Sequence, residues 1–110
     1  MRRTVALVAA ALLLPGLAAA MTGRELMQSC QGAADRLAGC NGFLTGFVAA
    51  YDLAVEDGKE LGWFCLPNGY DPAVLRNNFL DWARENPGAL DQPAPVNVKT
   101  AFQEAFSCTE

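Results

Sequence analysis

The chain has 110 residues, with four cysteines, no histidine, and eight basic against twelve acidic side chains, a formal charge of −4. The lack of histidine excludes Ser-His and Cys-His nucleophilic pairs, His-Asp phospholipase chemistry and every metal site that needs an imidazole. The acidic balance argues against nucleic acid and anionic lipid as partners and is compatible with a basic protein.

The first residues read as a targeting segment. Arg2 and Arg3 form a positive n-region, Val5 to Leu14 are almost purely apolar, and Pro15-Gly16 breaks the run before Ala18-Ala19-Ala20. This pattern predicts a signal peptide over residues 1–20, cleaved after Ala20. The apolar run is too short to span a bilayer. No cysteine near the cleavage point marks a lipoprotein. The expected mature chain, 21–110, is a single small domain. It loses Arg2 and Arg3, so six basic residues face twelve acidic ones, a net charge of −6. All four cysteines remain in it, and export to an oxidising compartment makes two disulfides the expected state. No Cys-x-x-Cys occurs, so a thioredoxin-like motif is missing.

Thr22-Gly23-Arg24-Glu25 has the form of a capping box and predicts a short first helix ending near Cys30. Gln31 to Gly39 reads as a connection, either without regular structure or with a helical turn. The central helix is expected from about Gly39 to Asp57, with Gly58 at its C-terminal cap. Its apolar positions 40, 43, 44, 47, 48, 51, 54 and 55 follow the spacing of one buried stripe, read here as core. Gly42 and Gly46 weaken an exposed helix, which predicts a close neighbour packed on that small-residue groove. Residues 59–70 look irregular, with a turn at Pro67-Asn68-Gly69. Asp71-Pro72 opens a third helix, with Leu75, Phe79, Trp82 and Ala83 as its buried stripe and Leu80 beside them. Asn86-Pro87-Gly88 ends it. A proline-bearing connection leads to a last helix over about Pro95–Phe106, with Val98, Ala101, Phe102, Ala105 and Phe106 on one face. The expected fold is all-α: a small disulfide-stapled bundle of four to five helices.

Helix direction then pairs the cysteines. Cys30 ends the first helix and Cys40 starts the second, so a tight reversal joins them. The central helix, about 27 Å long at roughly 1.5 Å per residue, separates Cys40 from Cys65. A fourth helix antiparallel to the third returns Cys108 to the Cys65 end. The expected bonds are Cys30–Cys40 and Cys65–Cys108.

Few residues suggest chemistry. Asp52, Glu56 and Glu60 recur at helical spacing, with Asp57 adjacent. They read either as a solvated face or as an acidic rim that meets a cationic patch on a partner. A Ca²⁺-loop pattern is absent. Trp63 and Tyr70 on the irregular segment are candidate binding anchors or lids on the core; Phe64, beside Cys65, is a weaker candidate. Arg24, Arg36, Arg76 and Arg84 are scattered. No nucleophile has a base near it in sequence. The chain therefore reads as a binding protein with no catalytic residue, no metal site and no cofactor, whose candidate partner-binding residues are Asp52, Glu56, Trp63 and Tyr70.

Several motifs together resemble the Rap/Tai immunity proteins of type VI secretion systems. A cysteine after the first helix, Cys30, is followed by Cys40-Asn41-Gly42-Phe43-Leu44-Thr45-Gly46, which matches the family pattern C-x-G-[YF]-[IL]-x-G. Cys65-Leu66-Pro67, then Phe79-Leu80 with Pro87 after it, then Phe106-Ser107-Cys108 continue the pattern in order. Ser107 stands where the family often has a proline. The resemblance implies an all-helical periplasmic protein, often a homodimer, that binds and inhibits a peptidoglycan amidase delivered by neighbouring cells. The short apolar run and the acidic surface separately predict no stable membrane association. The motif residues are cysteines, glycines and core aromatics, so they carry no contact residue over. The alternative class is a general periplasmic helper that exposes apolar surface as its carboxylates become protonated. Two staples and no histidine favour the rigid binder.

Overall fold

The computed structural model describes residues 21–58 and 61–108. The expected signal peptide (1–20) and Glu60 lie outside the described residues. Four helices make up the fold: α1 (Gly23–Cys30), α2 (Ala34–Glu56), α3 (Pro72–Glu85) and α4 (Ala94–Ala105). A 3-10 turn, Pro87–Ala89, follows α3. No strand occurs among the described residues; one isolated bridge pairs Thr22 with Pro93.

The first helix starts where the capping box places it. Thr22 Oγ1 accepts the Glu25 N–H at 3.2 Å, and the Glu25 carboxylate accepts the Thr22 N–H at 2.9 Å. The next free donors reach across the fold. The N–H groups of Gly23 and Arg24 donate to the carbonyls of Gln92 and Leu90, each at 2.9 Å. The orphan groups of this helix end are thus satisfied by the segment between α3 and α4.

The second helix begins at Ala34 rather than Gly39, so most of the expected connection is helical. The physical reason lies in Ala34, Arg36, Leu37 and Ala38, which are strong helix formers, and in Asp35, which suits the positive helix start. Only Gln31, Gly32 and Ala33 are left to reverse the chain. Asp57 caps the far end, and Gly58 takes a φ of +89° there, which glycine adopts without a steric cost. In α3, Asp71 Oδ1 accepts the N–H groups of Ala73 at 2.9 Å and Val74 at 3.2 Å, with Pro72 in the first turn.

The helices enclose one core. Helix α1 packs on α2, α3 and α4, and α3 packs on α2 and α4. Leu26, Leu44, Leu75, Phe79, Val98 and Phe102 are fully buried. Each contributes about 1.5–3 kcal/mol by leaving water. Cys30 bonds Cys40 and Cys65 bonds Cys108, the pairs expected from helix direction.

Three packing expectations are corrected. Val55 is 44% exposed, so the α2 stripe does not run its full length: full burial on α2 stops at Val48 because its last turns extend past the other helices. Ala105, between the fully buried Phe102 and the half-buried Phe106, is exposed because it faces away from the core. Gly42 and Gly46 meet open space; a Cβ at either would touch nothing outside its own turn, so no neighbour within this chain uses the groove.

One close approach does require glycine. Gly23 is buried in the first turn of α1, and a Cβ there would overlap Asn97 Oδ1. Asn97 is itself fully buried; its Nδ2 donates to the Ala89 carbonyl at 3.1 Å. Gly23→Ala is therefore expected to lower stability by about 1–3 kcal/mol through overpacking. Urea unfolding checks the sign. Helix propensity alone predicts a gain of about 1 kcal/mol instead.

Candidate functional site

The exposed end of α2 and the irregular segment after it form the most distinctive surface. Past Val48, α2 carries Tyr51 on its inner side and Asp52, Leu53 and Glu56 on its outer side. Leu53 is 61% exposed. The segment 61–70 folds back over the inner side. Tyr51 holds it in place: the Tyr51 hydroxyl accepts the Trp63 N–H at 3.0 Å and donates to the Phe64 carbonyl at 3.3 Å. The Phe64 ring stacks on Tyr51 with centroids 4.3 Å apart and meets Phe102 edge-on at 5.4 Å. Phe64 is buried, so it serves the core rather than the surface. Trp63 tilts against Tyr51 at 5.5 Å and carries Lys99 Nζ 4.2 Å from its ring, a cation–π contact. The Cys65 N–H donates to the Phe106 carbonyl at 2.7 Å, next to the disulfide with Cys108.

Three hollows open on this end. The first, about 420 Å³, lies between Tyr51, Asp52, Leu66, Asn68 and Tyr70. The second, about 510 Å³, lies between Asp52, Val55, Leu61, Cys65 and Cys108. Tyr51 and Asp52 border both, so Asp52 stands on the ridge between them. The third is a smaller notch of about 210 Å³, walled by Phe47, Ala50, Tyr51, Ala54, Leu61 and Trp63, and is almost wholly apolar.

Carboxylates cluster at the end of α2, with Lys99 over Trp63 on the other side of the notch. Asp52, Glu56 and Asp57 are exposed, and no basic residue occupies the last turn of α2. Carboxylates at a helix C-terminus face the negative end of its dipole, which costs about 0.3–1 kcal/mol each at low ionic strength. The ion pairs among the described residues lie elsewhere, at Arg24–Asp91 and Arg84–Asp81. Both of those are exposed and contribute little. Among the described residues no group of three metal-ligating side chains comes together. The surface is thus suited to recognition: an apolar notch, aromatic walls and a group of exposed carboxylates.

The structure brings together most of the residues singled out in the sequence. Asp52 and Tyr70 border the first hollow, and Trp63 walls the notch. Glu56 is exposed one turn beyond and borders none of the three. Tyr51, read in sequence only as part of the core stripe, is the residue that joins all three hollows. Its hydroxyl was the available signal, because a half-buried tyrosine needs a hydrogen-bond partner. Lys99 carried no such signal.

A model of the Rap1a immunity proteins matches residues 22–108. The chain belongs to the Rap1a immunity protein family. The match runs from the Thr22 cap to the Cys108 bridge, so it takes in both disulfides and every hollow of the immunity-family fold described above. No curated protein and no solved structure shows significant similarity to this family member. Among the described residues no helix is long and apolar enough to cross a membrane.

The Tyr51 hydroxyl yields a direct test. Tyr51→Phe keeps the ring stack and removes both hydrogen bonds to the segment. Expected is a loss of about 1–2 kcal/mol in chemical denaturation. An unchanged midpoint would mean that the aromatic stack alone fixes residues 61–66.

Proposed function

We propose that this chain is a periplasmic immunity protein of a type VI secretion system, exported by a signal peptide cleaved after Ala20. It binds a peptidoglycan amidase effector and inhibits it by occupation, with no catalysis of its own. The observation that carries this reading is the family match over residues 22–108. The exposed end of α2 supports the choice of surface. Asp52 and Glu56 supply negative charge to a cationic patch on the effector, while Trp63 and Tyr70 supply aromatic contact beside the hollows. The homodimer implied by the family resemblance belongs to the same proposal. Its surface is the open face of α2 at Gly42 and Gly46, where a second backbone can approach closely.

Capture with mature, oxidised protein as bait tests the reading. The prey is the secreted and periplasmic protein of the same cells. Expected is one saturable partner with cell-wall hydrolase activity, inhibited at equal stoichiometry. Reversing charge at both Asp52 and Glu56 is expected to weaken that complex about tenfold at low salt, mainly through slower association. Many weak clients, with suppressed aggregation at pH 3, would replace this reading with the periplasmic helper. A complex untouched by the charge reversal would move the contact surface elsewhere.

A further inference from the structure

The two disulfides occupy opposite environments. Cys30 is 4% exposed and Cys40 is fully buried, inside the contact of α1 with α2. Cys65 and Cys108 are both exposed. They also line the same hollow, beside Val55, Leu61 and Asp52, so the bond has an open approach. Access governs thiol–disulfide exchange, because the attacking thiolate must reach a sulfur along the bond.

We propose that Cys65–Cys108 is a thiol-exchange site for a dithiol reductant, and that opening it releases the chain around both cysteines without unfolding the bundle. A thiolate of the dithiol attacks one sulfur, the S–S bond breaks, and a mixed disulfide forms. The second thiol of the reductant, deprotonated, displaces the protein sulfur. The reductant leaves as a disulfide, and Cys65 and Cys108 become thiols by taking up two electrons and two protons. Asp52 borders the hollow, so its charge disfavours an anionic monothiol such as glutathione relative to a neutral dithiol.

The anchors around the site define what moves. Trp63 and Phe64 stay fixed by the Tyr51 hydroxyl and the aromatic stack, neither of which needs the disulfide. From Cys65 onward the backbone is tied to the end of α4 by one bond, from Cys65 N–H to the Phe106 carbonyl. Leu66, Tyr70 and Phe106 pack against the core, and the Phe106 N–H donates to the Phe102 carbonyl at 2.8 Å, so the released part is Cys65, residues 67–69 and residues 107–108. They wall the first two hollows, so reduction alters that surface while the core and Cys30–Cys40 persist. This inference stands on burial and packing and does not rest on the identity of the partner.

The test is graded dithiothreitol treatment of mature, oxidised protein, with iodoacetamide trapping and peptide mass mapping. Expected is alkylation of Cys65 and Cys108 at least about tenfold faster than of Cys30 and Cys40. Helical circular dichroism should be unchanged at that stage. The double variant Cys65→Ser/Cys108→Ser should fold, with ¹H–¹⁵N shifts confined to residues 61–70 and 104–108. Equal rates for the two pairs, or earlier reduction of Cys30–Cys40, would overturn the proposal. So would loss of helix on first alkylation, or a double variant that does not fold.

Discussion

The central helix is longer than the core that covers it, and most of the architecture follows from that mismatch. Helix α2 has 23 residues, about 35 Å at roughly 1.5 Å per residue, yet only Cys40, Leu44 and Val48 are fully buried. Neither end can rely on helix packing alone. The early part is stapled by Cys30–Cys40, a closure over 10 residues worth about 3 kcal/mol in chain-entropy terms. The late part is covered by a segment with no regular structure, which needs its own fixings. They are the Tyr51 hydroxyl, the Phe64 stack and Cys65–Cys108, a closure over 43 residues worth about 4 kcal/mol in the same terms.

The opposite side of the bundle is built differently. There α1, only 8 residues long, is too short to be stable by itself. Its start is held by hydrogen bonds to the carbonyls of Leu90 and Gln92 and by the contact of Gly23 with Asn97. Backbone and buried amide do there what aromatic rings do around Tyr51. The two ends consequently differ in character. One is closed, with the buried Asn97 Oδ1 left without a hydrogen-bond partner beside Gly23. The other is open, aromatic and negatively charged, and it presents hollows to solvent.

The same division places one disulfide inside the helix contact and the other at the surface. The buried bond sits where the fold is closed and supports packing. The exposed bond borders the hollows themselves. Charge follows the same division. The acidic residues at the end of α2 weaken the helix locally, a cost consistent with a role outside the fold.

By itself the sequence determined the helical class, every helix end but the start of α2 to about one residue, and the pairing of the cysteines. These are local matters: Thr22 and Asp71 cap by their own side chains, Pro72 and Gly58 act through their own φ angles, and helix direction limits which cysteines can meet. The sequence also carried the family, through cysteine, glycine and proline spacing from Cys30 to Cys108. It placed Asp52, Trp63 and Tyr70 among the surface candidates but could not assemble them. Only the tertiary structure decided that α2 outruns its core, leaving Val55 in water, and that the face carrying Gly42 and Gly46 meets no neighbour in this chain. It also decided that Tyr51 reaches Trp63 and Phe64, and that one disulfide is buried while the other is exposed. Periodicity reports which face of a helix is apolar, but how far along its axis a helix is covered depends on the lengths and positions of its neighbours.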